Sequence, residues 1–485
     1  MVENVDERTM PEDEILRQRT EKLARLKAEE GYDPFLHEKW DLKHSVEYVK
    51  KTFDHLGPDE KAEDAKIVTA GRLMTLRKHG KASFADMADE KDQLQLYFQV
   101  DSLGEKSYDF FKKWVDTGDI LGVMGHPFRT RRGELSILVT GFELLAKAMR
   151  PLPEKWHGLK DTEIRYRQRY VDLIANPEVR ETFRKRARII SALREVLESE
   201  GTVEVETPIL SPVAGGANAR PFVTHHNALD IDLYLRIATE LYLKRLIVGM
   251  FGRVYEIGKN FRNEGIDIMH NPEFTALEVY WAYADYKDIM DLTERLIVAA
   301  ADAAGSRKIV YQGTELNLEP PFRRASMVEL VREKCGFDLH EMGSDEEARR
   351  FAKNKGVELK GDETRFRVLV ELFEAFVEDT LIQPTFVLGH PTEVSPLAKK
   401  DPGDPNFTNR FELFIYGNEV ANAFSELNDP FDQRERFIQQ AKRKEAGDEE
   451  AHVFDEDYVS ALEYGLPPTG AVSYTHLTLP TKRIV

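Results

Sequence analysis

A change of periodicity at Ile67 constrains this chain more than any other feature. From there to about Leu145, short segments alternate apolar and polar residues between glycines: IVTAGRLMTLRK, KASFADMAD, LQLYFQV, GDILGVMGHPFRT and ELSILVTGFELL. Alternation at every second residue puts one face of a strand in a core and the other in water. Five such strands in roughly 80 residues predict a small closed β-barrel, because closure leaves no strand edge unpaired. The basic cluster Lys78-His79-Gly80-Lys81 falls between the first two strands and reads as their turn.

The flanking segments follow other rules. Residues 1–60 are highly charged and helical in pattern, with Ile15, Leu16, Leu23 and Leu26 on a rough stripe among Arg17, Arg19, Lys22, Arg25 and Lys27. Such a helix is either a solvated amphipathic element or an arm that touches RNA. Arg150-Pro-Leu-Pro is a stiff break that opens a linker, residues 150–180. Beyond it, Glu181–Glu200 reads as a helix carrying Phe183, Ala187, Ile190, Leu193 and Leu197, stopped by Gly201. The strand candidates that follow are TVEVETPIL, YLRIAT, RVYEIGKNF, PEFTALEVYWAY, TFVLGH, RFELFIYG and EVANAF. They are not evenly separated by crossover helices, so the sheet is expected to be antiparallel or mixed. The fold class is α+β: a five-stranded OB-type barrel (61–149), then a larger domain (181–470) built on an antiparallel sheet flanked by helices.

Composition narrows the function classes. A chain of 485 residues is too long for one core. No apolar run approaches the ~18 residues of a membrane span, and the acidic start MVENVDERTMPEDE lacks the blocks of a signal peptide. A single cysteine, Cys335, leaves no disulfide framework and no Cys-rich zinc site. A cytoplasmic location is the default expectation. The net charge of −18 predicts weak non-specific nucleic-acid binding, while one face of a domain can still carry specific contacts.

The densest chemistry lies in Phe261-Arg262-Asn263-Glu264-Gly265 and His270-Asn271-Pro272-Glu273-Phe274. An arginine for phosphate, an aromatic face for a base and several carboxylates suit a nucleotide, although a surface hairpin with local ion pairs has the same composition. There is no G-x-x-x-x-G-K-[ST] loop, so ATP is not held in the P-loop manner.

These segments resemble motif 2 of class II aminoacyl-tRNA synthetases, in the form found in lysyl-tRNA synthetases. The resemblance runs from about Ile67 to Thr469. Gly201 to Pro208 with its preceding helix is similar to motif 1, which builds the family's homodimer interface. Gly215-Gly216, His225 to Leu229, Thr239 to Arg245 and Arg410 to Leu427 are similar to the family's pocket segments. The resemblance implies ligation of L-lysine to tRNA(Lys) through lysyl-adenylate, with ATP and Mg²⁺. It implies that Arg262 acts on the α-phosphate and the substrate carboxylate, and that Phe274 stacks under adenine. Glu264, His270 and Asn271 would line the ATP site, while Glu412 and Glu419 hold Mg²⁺. In the amino-acid pocket, Glu240 would take the α-amino group, Glu426 and Tyr280 the ε-amino group and Asn422 the carboxylate, beside Gly215, Gly216 and Glu278. A carboxylate at Glu426, where the aspartate-charging relatives carry an arginine, selects a cationic substrate. In the barrel, the resemblance places Phe84, Gln95 and Glu134 against the anticodon. Pattern alone leaves Phe84 open between that stacking role and the barrel core.

After Thr469 the family's glycine-rich strand and arginine-bearing helix, motif 3, are expected. The text GAVSYTHLTLPTKRIV has neither that glycine spacing nor a helical apolar period, and Pro480 would interrupt a helix. The expectation is a truncated or frame-shifted end, with 471–485 foreign to the fold, an exposed sheet edge, poor solubility and impaired catalysis; the alternative is a variant end whose missing piece another chain or fragment supplies. The alternative function is then a synthetase-like protein that binds tRNA or lysine without catalysing ligation.

Overall fold

The computed structural model describes residues 11–153, 161–213, 215–217, 219–266, 270–445 and 454–474. The chain divides near residue 180 into two compact units.

In the first unit the strands β1 (Ile67–Lys78), β2 (Ala82–Ala88), β3 (Gln93–Gln99), β4 (Ile120–Arg129) and β5 (Leu135–Ala146) close in the order β1-β2-β3-β5-β4. Alternation decides which side chains enter: Ala85, Met87, Leu96, Phe98, Val123 and Ile137 fill the interior. The helices α1 (Glu12–Glu30) and α2 (Val46–Phe53) add Leu26, Val46 and Val49 to that same core. The amphipathic helix expected here is present as α1, with Leu23 and Leu26 of its stripe packed against the barrel core. Arg19, expected on the wet face of α1, is buried, and its Nη1 donates to the Ala148 carbonyl at 2.7 Å. Lys22 of the same helix pairs with Asp116 at 2.5 Å, beside the buried pair Lys147–Asp119 at 2.7 Å. The expected linker is also structured over residues 161–176. Two short helices, Thr162–Arg167 and Arg169–Ala175, meet around the buried carboxylate of Asp172, which accepts from Arg165 and Asn176 and pairs with Arg169.

The second unit opens with α3 (Pro177–Ser199) and holds one large sheet. Its strands are β6 (Val203–Glu204), β7 (Arg253–Phe261), β8 (Glu273–Ala282), β9 (Arg323–Ser326), β10 (Thr385–Leu388), β11 (Arg410–Ile415), β12 (Asn418–Ser425) and β13 (Thr469–Tyr474). They lie in the order β9-β10-β11-β12-β13-β8-β7-β6. The middle is antiparallel and only the end pairs, β9/β10 and β6/β7, are parallel, so the mixed sheet expected from the connections is present. TVEVETPIL is not one strand. It contributes β6 and a two-residue strand, Leu210–Ser211, to a separate small sheet with Val223–His226 and Ile231–Leu235.

The tail requires the main correction. Residues 469–474 form β13, the strand between β12 and β8 near the middle of the sheet. Val472 and Tyr474 sink into the core beneath α5 (Tyr286–Ala304), and the Tyr474 hydroxyl meets Thr293 Oγ1 at 2.8 Å. Gly470 fits because a Cβ there would stand 2.6 Å from Ile289 and 2.8 Å from the Asp285 carbonyl. The strand passed unrecognised because six residues with two partners need no glycine signature, only alternation and small side chains. The exposed sheet edge expected from a missing strand is absent at this place, since β13 pairs with both β12 and β8. The remainder of the expected foreign tail, residues 475–485, lies outside the described residues.

Candidate functional site

One face of the sheet, with the helix α4 (Glu240–Val248) at its side, bounds a cavity of about 530 Å³. Register explains its floor. Ala471 of β13 lies between Tyr280 of β8 and Phe424 of β12, and Ser473 lies between Glu278 and Asn422. Small side chains on the central strand leave the volume, and the longer side chains of its neighbours frame it.

Three carboxylates converge at one end. Glu240 starts α4, Glu278 is on β8, and Glu426 follows β12; all are buried. Burial raises the pKa of each, with the charge of Glu240 adding to the rise at both Glu278 and Glu426. Glu278 is pushed up to about 7, even though the Thr239 backbone N–H donates to it at 3.3 Å and the Tyr280 hydroxyl at 3.2 Å. Lys244, one turn along α4, stands between the other two. Its Nζ is 2.5 Å from Glu240 Oε1 and pairs with Glu426 Oε2, and its side chain has no exposed surface. Burial would lower its pKa, but these two carboxylates outweigh that and carry it well above the ordinary lysine value.

At the other end stands Arg262, just after β7, with its guanidinium carbon 5.1 Å from the Phe274 ring centroid. Burial lowers its pKa, opposed by Glu264, Glu278 and Glu419, and its Nε has no hydrogen-bond partner. A half-buried guanidinium with a buried, unused donor is a place for an anion. The neighbouring Arg236 is already committed, paired with Glu256 at 2.6 Å, and it approaches so closely that a Cβ at Gly258 would meet its Nη2 at 2.3 Å.

A second acidic group lies across β11 and β12. Glu419 is raised to about 8 by burial and by the charges of Glu412 and Glu378, against the pull of Arg410 and Asn422. Burial would also raise Glu412, but His390, 3.1 Å away, and Arg410 hold it down at about 2. Crowded anionic oxygens of this kind are donors for a hard divalent cation, whose charge would relieve their repulsion.

Of the residues expected at the site, Gly216, Glu240, Arg262, Glu264, His270, Asn271, Phe274, Glu278, Tyr280, Glu419, Asn422 and Glu426 line this cavity. Gly215 lines a smaller neighbouring cleft with Leu241 and Tyr242. Glu412 stands behind the wall, engaged by Arg410 and His390. Sequence reasoning placed Lys244 and Arg410 in pocket segments without giving them a role, and missed Tyr458 and the floor residues Ala471 and Ser473. For Lys244 a signal was present: a lysine four residues after a pocket glutamate on a helix shares its face. In the barrel, Phe84 is half-buried on the outer face, between the core residues Ser83 and Ala85. It stacks on Tyr97 at 4.7 Å, and Tyr97 meets Phe128 at 5.8 Å, an aromatic row of which the sequence reading named one member. Gln95 accepts from Ser136 at 3.0 Å, and Glu134 is exposed.

Residues 161–475 match the model of class II tRNA synthetases (D, K and N), and residues 67–145 match that of the OB-fold nucleic acid binding domain. The lysine–tRNA ligase of Thermoanaerobacter pseudethanolicus is 53% identical over 472 residues, 97% of this chain and 93% of that protein. The chain belongs to the class II lysine–tRNA ligases. The similarity is matched by the lysine–tRNA ligases of Clostridium tetani, 53% identical over 95% of this chain and 91% of that protein, and of Syntrophomonas wolfei, 54% identical over 95% and 92%. The family match extends through β13, so the strand that the sequence reading set aside lies within the matched region.

Proposed function

We propose that the cavity holds L-lysine and ATP together, with lysine's two ammonium groups at Glu240, Glu278 and Glu426 and its carboxylate at Arg262. The chain is a ligase that joins lysine to tRNA, with ATP as co-substrate. The observation that carries the residue assignment is the polarity of the cavity: three buried carboxylates at one end and a half-buried arginine with a buried, free donor at the other. A desolvated ammonium needs fixed anions, and a desolvated carboxylate needs a fixed cation. Lysine has both: a carboxylate and an ammonium on its α-carbon, and a second ammonium at the end of its side chain.

The chemistry is two transfers without a protein nucleophile. A lysine carboxylate oxygen attacks the α-phosphorus of ATP, the bond to the β-phosphate oxygen breaks, and pyrophosphate leaves. The terminal ribose hydroxyl of the tRNA then attacks the acyl carbon, AMP leaves with the electron pair of the broken acyl–oxygen bond, and the hydroxyl's proton is released with it. Arg262 bears on both the carboxylate and the α-phosphate, and Phe274 offers its ring to adenine, with Glu264, His270 and Asn271 along the same wall. Glu412 and Glu419 are the residues to hold Mg²⁺, which when bound neutralises phosphate charge. Asn422 completes the contact to the substrate carboxylate.

The barrel takes the anticodon on its outer face, where Phe84 and Tyr97 supply stacking and Gln95 and Glu134 supply hydrogen bonds to base edges. The active form is a homodimer in the cytoplasm. Val203, Ile209, Leu210, Val223, Leu229 and Ile231 are all exposed in and around the motif 1 region, and only Leu193 and Leu197 of the expected α3 stripe are buried. No helix among the described residues is long and apolar enough to cross a membrane.

Exchange of labelled pyrophosphate into ATP tests the assignment. It should depend on lysine and a divalent cation, and not respond to aspartate or asparagine. Exchange driven equally by aspartate would sink it.

A further inference from the structure

Behind two carboxylates of the lysine pocket's wall stands a buried lysine of the chain's own. Lys244 is fully buried and reaches Glu240 and Glu426, the two carboxylates that the substrate's ammonium groups are to meet. Its Nζ also lies 5.7 Å from the Phe424 ring centroid and 5.8 Å from that of Tyr458, whose buried hydroxyl has no hydrogen-bond partner. A buried ion pair is weak evidence of a stabilising role, since desolvation consumes most of the attraction. Its position calls for another account.

We propose that Lys244 is a specificity-determining residue, which sets the charge of the amino-acid pocket so that a ligand with two ammonium groups completes it. The inference rests on the reading of Glu240, Glu278 and Glu426 as the lysine-binding carboxylates. With all three ionised, their charge is −3, and Lys244 brings it to −2. The two ammonium groups of lysine bring it to zero, and Arg262 separately matches the ligand's carboxylate. A ligand with one ammonium group, such as norleucine, leaves a net buried charge, which costs far more in a low dielectric than in water. Without Lys244 the same pocket would be three positive charges short, and lysine itself would no longer balance it. The internal cation also fixes geometry: one Nζ between Glu240 and Glu426 holds both carboxylates at the pocket before substrate arrives, which lowers the cost of ordering them on binding.

This account predicts a reversal of sign between two substitutions. Glu278→Gln leaves the pocket one charge short and Lys244→Met leaves it three short, so each should raise KM for lysine at least tenfold in pyrophosphate exchange. KM for ATP should stay within about threefold. The double variant Lys244→Met/Glu278→Gln is again two charges short, and its KM for lysine should fall below that of either single variant. A merely structural role for Lys244 predicts the opposite, with the double variant at least as impaired as the worse single one, and that result overturns the inference. If Lys244→Met alone does not fold, the comparison of Glu278→Gln with the double variant decides the question by the same criterion. Glu426→Gln separates this inference from the pocket assignment beneath it. An unchanged KM for lysine in that variant removes the assignment. A raised KM there, with no improvement in the double variant, removes only the role of Lys244.

Discussion

At the scale of residues, the site is a problem in the disposal of charge. Glu426 has no exposed side-chain surface and a pKa raised by burial, so a change of sign there acts without solvent screening. Glu426→Arg should abolish lysine-dependent pyrophosphate exchange while circular dichroism stays that of the parent protein. The loss of a desolvated charge partner corresponds to roughly 3–5 kcal/mol. Near-parental kcat/KM for lysine in that variant would contradict the pocket. Glu278 makes the site sensitive to pH. Its carboxyl titrates at about 7 in the free protein, and a bound ammonium group requires the ionised form. Below 7 a proton competes with lysine, and above 7 it does not. KM for lysine should therefore fall about tenfold between pH 6 and pH 8, since each pH unit below the pKa changes the ionised fraction about tenfold. Glu278→Gln should flatten that slope; a slope unchanged in the variant would assign the titration elsewhere.

At the scale of elements, β13 decides whether the cavity exists. Gly470→Val would force a side chain against Ile289 and the Asp285 carbonyl, and overpacking of this kind costs about 1–3 kcal/mol. Urea unfolding should show that loss, whereas a foreign, unattached tail would tolerate the change. Ala471→Leu should behave differently: it fills the space between Tyr280 and Phe424, so lysine binding should weaken by more than tenfold. On the barrel, the half-buried, outward position of Phe84 separates function from stability. Phe84→Ala should raise KM for tRNA by an amount equivalent to about 1–3 kcal/mol per lost stacked base. Pyrophosphate exchange, which needs no tRNA, should be unaffected. An unchanged KM for tRNA would remove Phe84 from the anticodon site.

At the scale of the whole molecule, exposed apolar surface is the unresolved quantity of a single chain. Val223 is 60% and Ile231 42% exposed on adjoining strands of the small sheet, the exposed apolar surface on which the homodimer proposed above rests. Sedimentation of the parent protein should report a dimer. Val223→Asp with Ile231→Asp should shift it to the monomer at micromolar concentration, since two buried unpaired charges oppose association. A parental protein that sediments as a monomer would place the interface assignment in error.

Much of this was legible in one dimension. Alternation located all five barrel strands within a residue or two, because a barrel strand has a wet and a dry face and the side chains record which is which. The residues proposed for ATP and lysine carry local motifs, with Arg262, Glu264 and Phe274 within thirteen residues of one another. Other features depend on contacts between segments remote in sequence. The helix α1 looked solvated because nothing in its own text shows that a barrel wall 129 residues away will receive Arg19. Residues 471–474 looked foreign because a central strand is defined by its two neighbours, and those neighbours come from β8 and β12. Lys244 could be placed on the face of Glu240 by helical spacing, but its meeting with Glu426 required the sheet to be assembled. Sequence by itself determined the class of chemistry and the residues with a local signature. Only the tertiary structure decided the charge balance of the pocket, since that depends on which charges are brought together away from water.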